Sequence, residues 1–278
     1  MKYNADCHVH LGLPNKEITD EELRELLQKY KDAGITFLRD GGDKTGVSKR
    51  AKALAKEIGI DYRTPIFSIY KEDHYGAFIG RAFDTQDEYK KLVDEAIEEG
   101  ADFIKIIASG IVDFSNYGEV EASLSAEELA SMVGYAHGKG LSVMCHVNGK
   151  NAIRSAISAG VDSIEHGFYM DEETAGLLAE SDAIWVPTVA PAAALVGNKD
   201  INQETLTKII TEHIKMIGRV WYLGGMIALG TDAGCVGTPH IDSVAREYEL
   251  LSAAIDDVEF DAHLEMSKAQ IEWKFKRQ

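Results

Sequence analysis

Cysteine is scarce: only Cys7, Cys145 and Cys235 occur in 278 residues, an odd number at wide spacing. That argues against a disulfide framework and fits a reducing compartment, so the expected location is the cytoplasm. No apolar run approaches the roughly 20 residues that a membrane span needs. The N-terminus also lacks the basic stretch and apolar core of a signal peptide. Positive charge is in deficit, with 29 Lys and Arg against 46 Asp and Glu and a formal net charge of -17. Such a balance argues against nucleic acid or an anionic membrane as partner. It says little about substrate, because the acids are spread over helix faces such as Asp20-Glu21-Glu22 and Glu127-Glu128. Internal repeats, low-complexity segments and a second compositional regime are absent too. What remains is 45% hydrophobic and 27% charged, ordinary for a globular protein. At this length the first expectation is one α/β barrel domain, residues 1–278.

The stretch Ala5-Asp6-Cys7-His8-Val9-His10-Leu11-Gly12 reads as a short strand. Side chains alternate along a strand, so His8 and His10 share one face while Cys7 and Val9 take the other, as core residues. Two imidazoles about 7 Å apart along a strand, at roughly 3.3 Å per residue, can close on one metal ion. Taken alone, the pair could equally be two solvated or backbone-bonded histidines near a terminus.

Apolar runs of strand length alternate with helical-period stretches along the whole chain. The strands expected are Tyr3 to Leu11, Ile35 to Asp40, Tyr62 to Tyr70 (interrupted by Pro65), Asp102 to Ile107, Leu141 to His146, Asp162 to Glu165, Ile184 to Pro187 and Met226 to Gly230. The helices expected are Glu17 to Ala33, Val47 to Ile58, Asp84 to Glu99, Ser125 to Gly138, Asn151 to Ala159, Asp171 to Glu180, Asn202 to about Leu223 and Ile241 to Ile255. Gly34 and Gly59 stop two of them, and Ser125-Ala126-Glu127-Glu128 is a capping box. Eight strand-helix units point to a (β/α)8 TIM barrel, with a doubly wound open sheet as the other solution. Residues 257–278 form an extra C-terminal helix.

In a barrel the C-terminal strand ends share one face, where catalytic residues of this fold sit. Those ends carry His8 and His10, Lys105, His146, His166 and Asp232. Four histidines and an aspartate suit zinc, manganese or iron(II). Each alone could be a polar strand end satisfied by loop backbone; five at independent ends are harder to dismiss. Lys105 lies between Ile104 and Ile106 on a core strand and is costly unless neutral or paired. It either bridges to a nearby carboxylate or keeps a free amine that captures carbon dioxide as a carbamate. Cys145 faces away from the ligands.

This ordered set, His-x-His, Lys, His, His, Asp, resembles the amidohydrolase superfamily in its two-metal, carboxylated-lysine branch. The strings DCHVHLG, DFIKIIASG, CHVNGKNAIRSAISAGVDSIEHG and ALGTDAG are similar to those of Xaa-Pro dipeptidases and imidazolonepropionase-related hydrolases. The resemblance covers residues 5 to 255. It implies that His8, His10 and Asp232 hold a more buried metal and His146 and His166 a more exposed one, with the Lys105 carbamate bridging both. It further implies a hydroxide between the metals as nucleophile, with Asp232 as general base and then acid. The accessory β-sandwich usual in these relatives is not recognisable, so a barrel alone is expected.

The loops after strands three, four, six and eight should wall the pocket. They hold His74, Tyr75, Arg81, Asn116, Tyr117, Tyr169 and His240. His240, in GTPH, resembles the Pro-His-Gly position of dipeptidase-like relatives and is a candidate for substrate contact. Tyr169 could donate to a carbonyl or carboxylate, and His74 and Arg81 could receive a carboxylate. Arg39 and Asp40 read as a structural ion pair, and His137, His213 and His263 as solvated helix residues. The activity expected is hydrolysis of an amide bond in an N-acyl amino acid, dipeptide or cyclic amide. A lactonase or phosphoester hydrolase on the same metals is the second reading, and a non-catalytic metal-binding scaffold the third. The expected partner is a small-molecule substrate, and self-association into a homo-oligomer stays open.

Overall fold

The computed structural model describes residues 3–13 and 17–277. In chain order its elements are β1 (Ala5–Val9), α1 (Asp20–Asp32), β2 (Phe37–Asp40), α2 (Val47–Ile58), β3 (Asp61–Arg63), β4 (Ser68–Lys71), β5 (Gly80–Phe83), α3 (Gln86–Glu99) and β6 (Ile104–Ile107). There follow α4 (Ala126–Gly138), β7 (Val143–Val147), α5 (Lys150–Ala159), β8 (Ser163–His166), α6 (Glu172–Ala179), β9 (Ile184–Val186), α7 (Ala190–Ala194), α8 (Gln203–Tyr222), α9 (Asp242–Ile255) and α10 (Phe260–Lys274). Local chemistry sets the helix ends. Thr19, Thr85 and Ser125 form capping boxes with Glu22, Glu88 and Glu128. Left-handed Gly59, Gly100 and Gly160 close α2, α3 and α5.

All strand ladders are parallel, in one sheet ordered β1-β2-β3 and another ordered β5-β4-β6-β7-β8-β9. The expected third strand is divided. Pro65 has no N–H to give and Ile66 takes a φ of +69°, so β3 ends and β4 starts afresh. Across that break Asp43 N donates to Ile66 O at 3.0 Å and Ser68 Oγ to Gly41 O at 2.8 Å. The expected eighth strand is another correction. Met226 to Gly230 makes only an isolated bridge, Ile227 to Trp185, and no continuous ladder. It is nevertheless bonded on both flanks: Ala228 N donates to Trp185 O at 2.8 Å, and Cys7 N donates to Leu229 O at 2.9 Å. These contacts join β9 back to β1. The wall is a (β/α)8 barrel interrupted at its third and eighth segments. Two elements went unforeseen: β5, inside an expected loop, and the short α7. Among the described residues no antiparallel sandwich accompanies the barrel, and no helix is long and apolar enough to cross a membrane.

The end of the barrel opposite the histidines is sealed by α10. Tyr3 Oη donates to Leu264 O, and Phe275, fully buried, meets the Phe103 ring edge-on at 5.2 Å. The Arg39 guanidinium lies 4.4 Å over the same Phe275 ring. Arg39 does not pair with Asp40, correcting the expected ion pair, because successive strand residues face opposite ways. It bonds Cys7 O, Ser163 and Glu165 inside the barrel, whereas Asp40 accepts from Leu11 N, Gly42 N and Ser48. Phe275→Ala is expected to cost about 3–5 kcal/mol, the loss typical of a large aromatic removed from a core. Denaturant unfolding with an unchanged m-value measures it.

Candidate metal centre

Strand register delivers the candidate ligands to one level. Ile107 pairs with His146, His146 with Glu165, and Val147 with His166 across β6, β7 and β8. Asp232 N donates to His8 O at 2.7 Å, which brings the eighth segment alongside β1. His166, Thr188 and Asp232, all at ends of the wall, take φ values of +67°, +50° and +55°. Non-glycine residues hold such backbone at a cost of about 1–3 kcal/mol each, and it concentrates at functional sites. Gly41 and Gly234 allow the loops to close on His10: a Cβ would lie 2.2 Å from its ring at Gly41 and 2.1 Å from its carbonyl oxygen at Gly234.

His8, His10, Lys105, His146, His166 and Asp232 line a single cavity of about 420 Å³. The imidazoles form a chain, with ring centres 5.2 Å apart for His10 and His8, 5.0 Å for His8 and His166, and 4.6 Å for His166 and His146. His8 Nδ1 lies 2.7 Å from Glu165 Oε2 and His10 Nδ1 3.4 Å from Gly42 O. Both partners are acceptors, so both Nδ1 atoms carry the proton and both Nε2 atoms present lone pairs. Those two Nε2 atoms are 3.3 Å apart, and each is 3.4 Å from Asp232 Oδ1. Ligand atoms of these three residues all lie within 4.8 Å of one another. Three facing acceptors repel until a proton or a metal ion sits among them. Burial accordingly pushes Asp232 up to about 7 and His10 down to about 3. The donor set of two imidazoles and a carboxylate therefore suits a divalent ion. His166 Nδ1 is 2.7 Å from Thr188 Oγ1, and His146 Nε2 is 3.2 Å from Gly110 O.

Lys105 is 1% exposed, and its Nζ has no hydrogen-bond partner. No carboxylate among the described residues comes within salt-bridge distance of it, so the ion-pair alternative for this lysine is not realised. Burial, offset in part by Glu165, lowers its pKa to about 8.

Sequence reasoning left Glu165 out. Fully buried, its carboxylate spans His8 Nδ1 at 2.7 Å and Arg39 Nη2 at 2.8 Å, 157 and 126 residues away. A carboxylate in the core stretch Ser163-Ile164-Glu165-His166 was the available signal, since a buried charge needs a partner. Glu165→Gln is expected to weaken metal affinity about 10–100-fold by loosening the His8 tautomer. It should also cost about 3–5 kcal/mol of stability by leaving Arg39 buried and unpaired. Competition with a chromophoric chelator and urea unfolding read the two effects separately. Asp6 is a second residue missed: it accepts from Thr231 N, Thr231 Oγ1 and His8 N, which fixes the turn before Asp232.

Of the expected loop residues, Tyr75 reaches this cavity, its ring centre 5.4 Å from that of His146, whereas His74, Arg81, Tyr117, Tyr169 and His240 do not line it. Arg81 pairs with Glu95 and Glu99 and lies over the Phe67 ring, and His74 is exposed. Tyr169 packs its ring against Tyr117 beside Glu212 in a separate recess. His240 Nδ1 is 2.8 Å from Tyr30 Oη. Of the remaining histidines, His137 pairs with Asp162 at the surface. His213 is instead buried, stacked 3.8 Å on Phe168, and His263 accepts from Ile227 N, so neither is simply solvated. Cys7 and Cys145 are buried core residues.

The fold and the site together define a parallel barrel that carries a candidate metal centre at its C-terminal strand ends. The chain belongs to the amidohydrolase family, whose model matches residues 5–270. It is 34% identical to the ochratoxinase of Aspergillus niger over 157 residues, 54% of this chain and 32% of that protein. It is 27% identical to an uncharacterized protein of Mycobacterium tuberculosis over 193 residues, 67% of this chain and 49% of that one. The chain thus spans about half the length, or less, of these relatives. Among solved structures, a Xaa-Pro dipeptidase with bound methionine superposes with a TM-score of 0.78 at 22% identity, covering 97% of this chain and 75% of that one. The A. niger ochratoxinase structure gives 0.79 at 22% identity, covering 98% and 71%.

Proposed function

We propose that the chain hydrolyses an amide C–N bond, of an N-acyl amino acid, dipeptide or cyclic amide, with two divalent ions. His8, His10 and Asp232 would hold one ion, and His146 and His166 the other. Zinc is the first choice, with manganese and iron(II) compatible with the same donors. The observation that carries this reading is Lys105, a buried amine without a hydrogen-bond partner that lines the same cavity as the ligand residues. A neutral amine can add carbon dioxide to give a carbamate and release a proton, and Lys105 in that form would offer two oxygen donors to the ions in place of an orphan amine. When bound, the ions supply an activated water and a Lewis acid for the substrate carbonyl. Asp232 takes the proton of the attacking water and returns it to the leaving nitrogen. Glu165 keeps His8 in the ligating tautomer throughout, and the apolar cavity walls exclude competing solvent.

Release of free amine from a panel of N-acyl amino acids, dipeptides and cyclic amides tests the reading. Activity should disappear on chelation and return with added zinc, manganese or iron(II). Chelation should also lower thermal stability, since ligand at 100 times its Kd contributes about 2.7 kcal/mol. Lactone opening with no amine release from any amide would overturn the assignment.

A further inference from the structure

The six candidate ligands form the floor of the cavity, and almost everything above them is apolar. Phe78, Ile111, Phe114, Phe168, Leu195 and Val236 line its walls and rim. Ile111 and Val236 are 60% and 84% exposed and continue the apolar lining out to the mouth. The Phe114 and Phe168 rings meet edge-on at 5.6 Å, and Phe168 is backed by the stacked His213.

Above the ligand floor, fixed positive groups able to receive an anion are missing from the walls. Among the described residues Lys105 is the only lysine or arginine lining the cavity. The neighbouring cations are tied elsewhere: Arg81 to Glu95 and Glu99, Lys71 to Glu128, Lys44 to Ala77 O at 2.6 Å. Among the neutral polar groups, Tyr75 offers only an uncharged hydroxyl, and two others are engaged. Thr188 faces His166, and Asn148 accepts from Phe168 N and donates to Gly110 O. We infer that the site selects uncharged amides flanked by apolar or aromatic groups, and discriminates against substrates bearing a free carboxylate. This rests on the amide reading above and narrows it: cyclic amides and N-acylated amines are favoured over dipeptides.

The test compares N-phenylacetyl-phenylalanine with N-phenylacetyl-phenylalaninamide, which match in size and differ by one charge. Phenylacetate release by the metal-loaded enzyme gives kcat/KM, and calorimetry on the metal-free protein gives binding without turnover. The neutral compound should be favoured at least about tenfold in each, the scale set by a buried charge without a partner. Equal or tighter binding of the acid, or its equal or faster cleavage, would overturn the inference while leaving amide hydrolysis in place. Failure of both compounds to bind would overturn it too. Tenfold tighter binding of the neutral compound with no cleavage of either would uphold the inference and count against the amide reading alone. Ile111→Lys places a cation at an exposed rim position and should shrink the preference about tenfold. An unchanged ratio in that variant would contradict charge as the basis of selection.

Discussion

Lys105→Ala is expected to lose amide hydrolysis by about 10³-fold or more, the scale of several kcal/mol of transition-state charge stabilisation. Metal content should fall with it. Short carboxylic acids or bicarbonate should restore part of the activity by filling the space of the carbamate. The same position gives a second, opposite effect. A buried lysine amine without a partner is a burden on the fold, so Lys105→Met should stabilise the metal-free protein by about 1–3 kcal/mol. A lysine retained to hold the barrel together would behave the other way, with Lys105→Met unfolding at lower urea and Lys105→Ala keeping full metal and full rate.

Asp232→Asn is expected to lower kcat by about 10²–10⁴-fold, the contribution of a positioned general acid-base group. The side chain is isosteric, so the turn fixed by Asp6 and Thr231 persists, and substrate KM should move little. Because Asp232 Oδ1 also faces His8 and His10 at 3.4 Å, metal affinity should weaken as well. Assays at saturating metal separate the two contributions. A variant that recovered full kcat once metal was restored would place the proton transfer on another group.

The parts of the architecture written in local chemistry were legible. Alternation in a strand was enough to put His8 and His10 on one face and Cys7 on the other, and the capping box at Ser125 marked the start of α4 to within a residue. The barrel followed from repeated strand-helix units. What escaped depends on partners distant in sequence. Nothing near Glu165 announces that it holds His8 and Arg39. The eighth segment reads as a strand by its apolar run, yet Met226 to Gly230 meets its neighbours through one backbone bond to Cys7 and two to Trp185, and His263 takes the N–H of Ile227. Pro65 was recognised as an interruption, but its consequence, a fresh strand at Ser68 with β5 beside it, needs the third dimension. Arg39 and Asp40 were misread because adjacency in sequence was taken for adjacency in space, against the alternation used correctly for His8 and His10. His213 shows the same limit from a helix: its partners Phe168 and Pro187 lie on other segments.

The measurement that bears most directly on this account is metal content per chain, on protein purified without chelator and with bicarbonate present. The paired site predicts about two equivalents of zinc, manganese or iron, with Lys105→Ala falling well below that. One equivalent, unchanged in Lys105→Ala, would contradict the bridging role and leave a mononuclear centre on His8, His10 and Asp232. None, with the barrel folded, would contradict the metal centre itself.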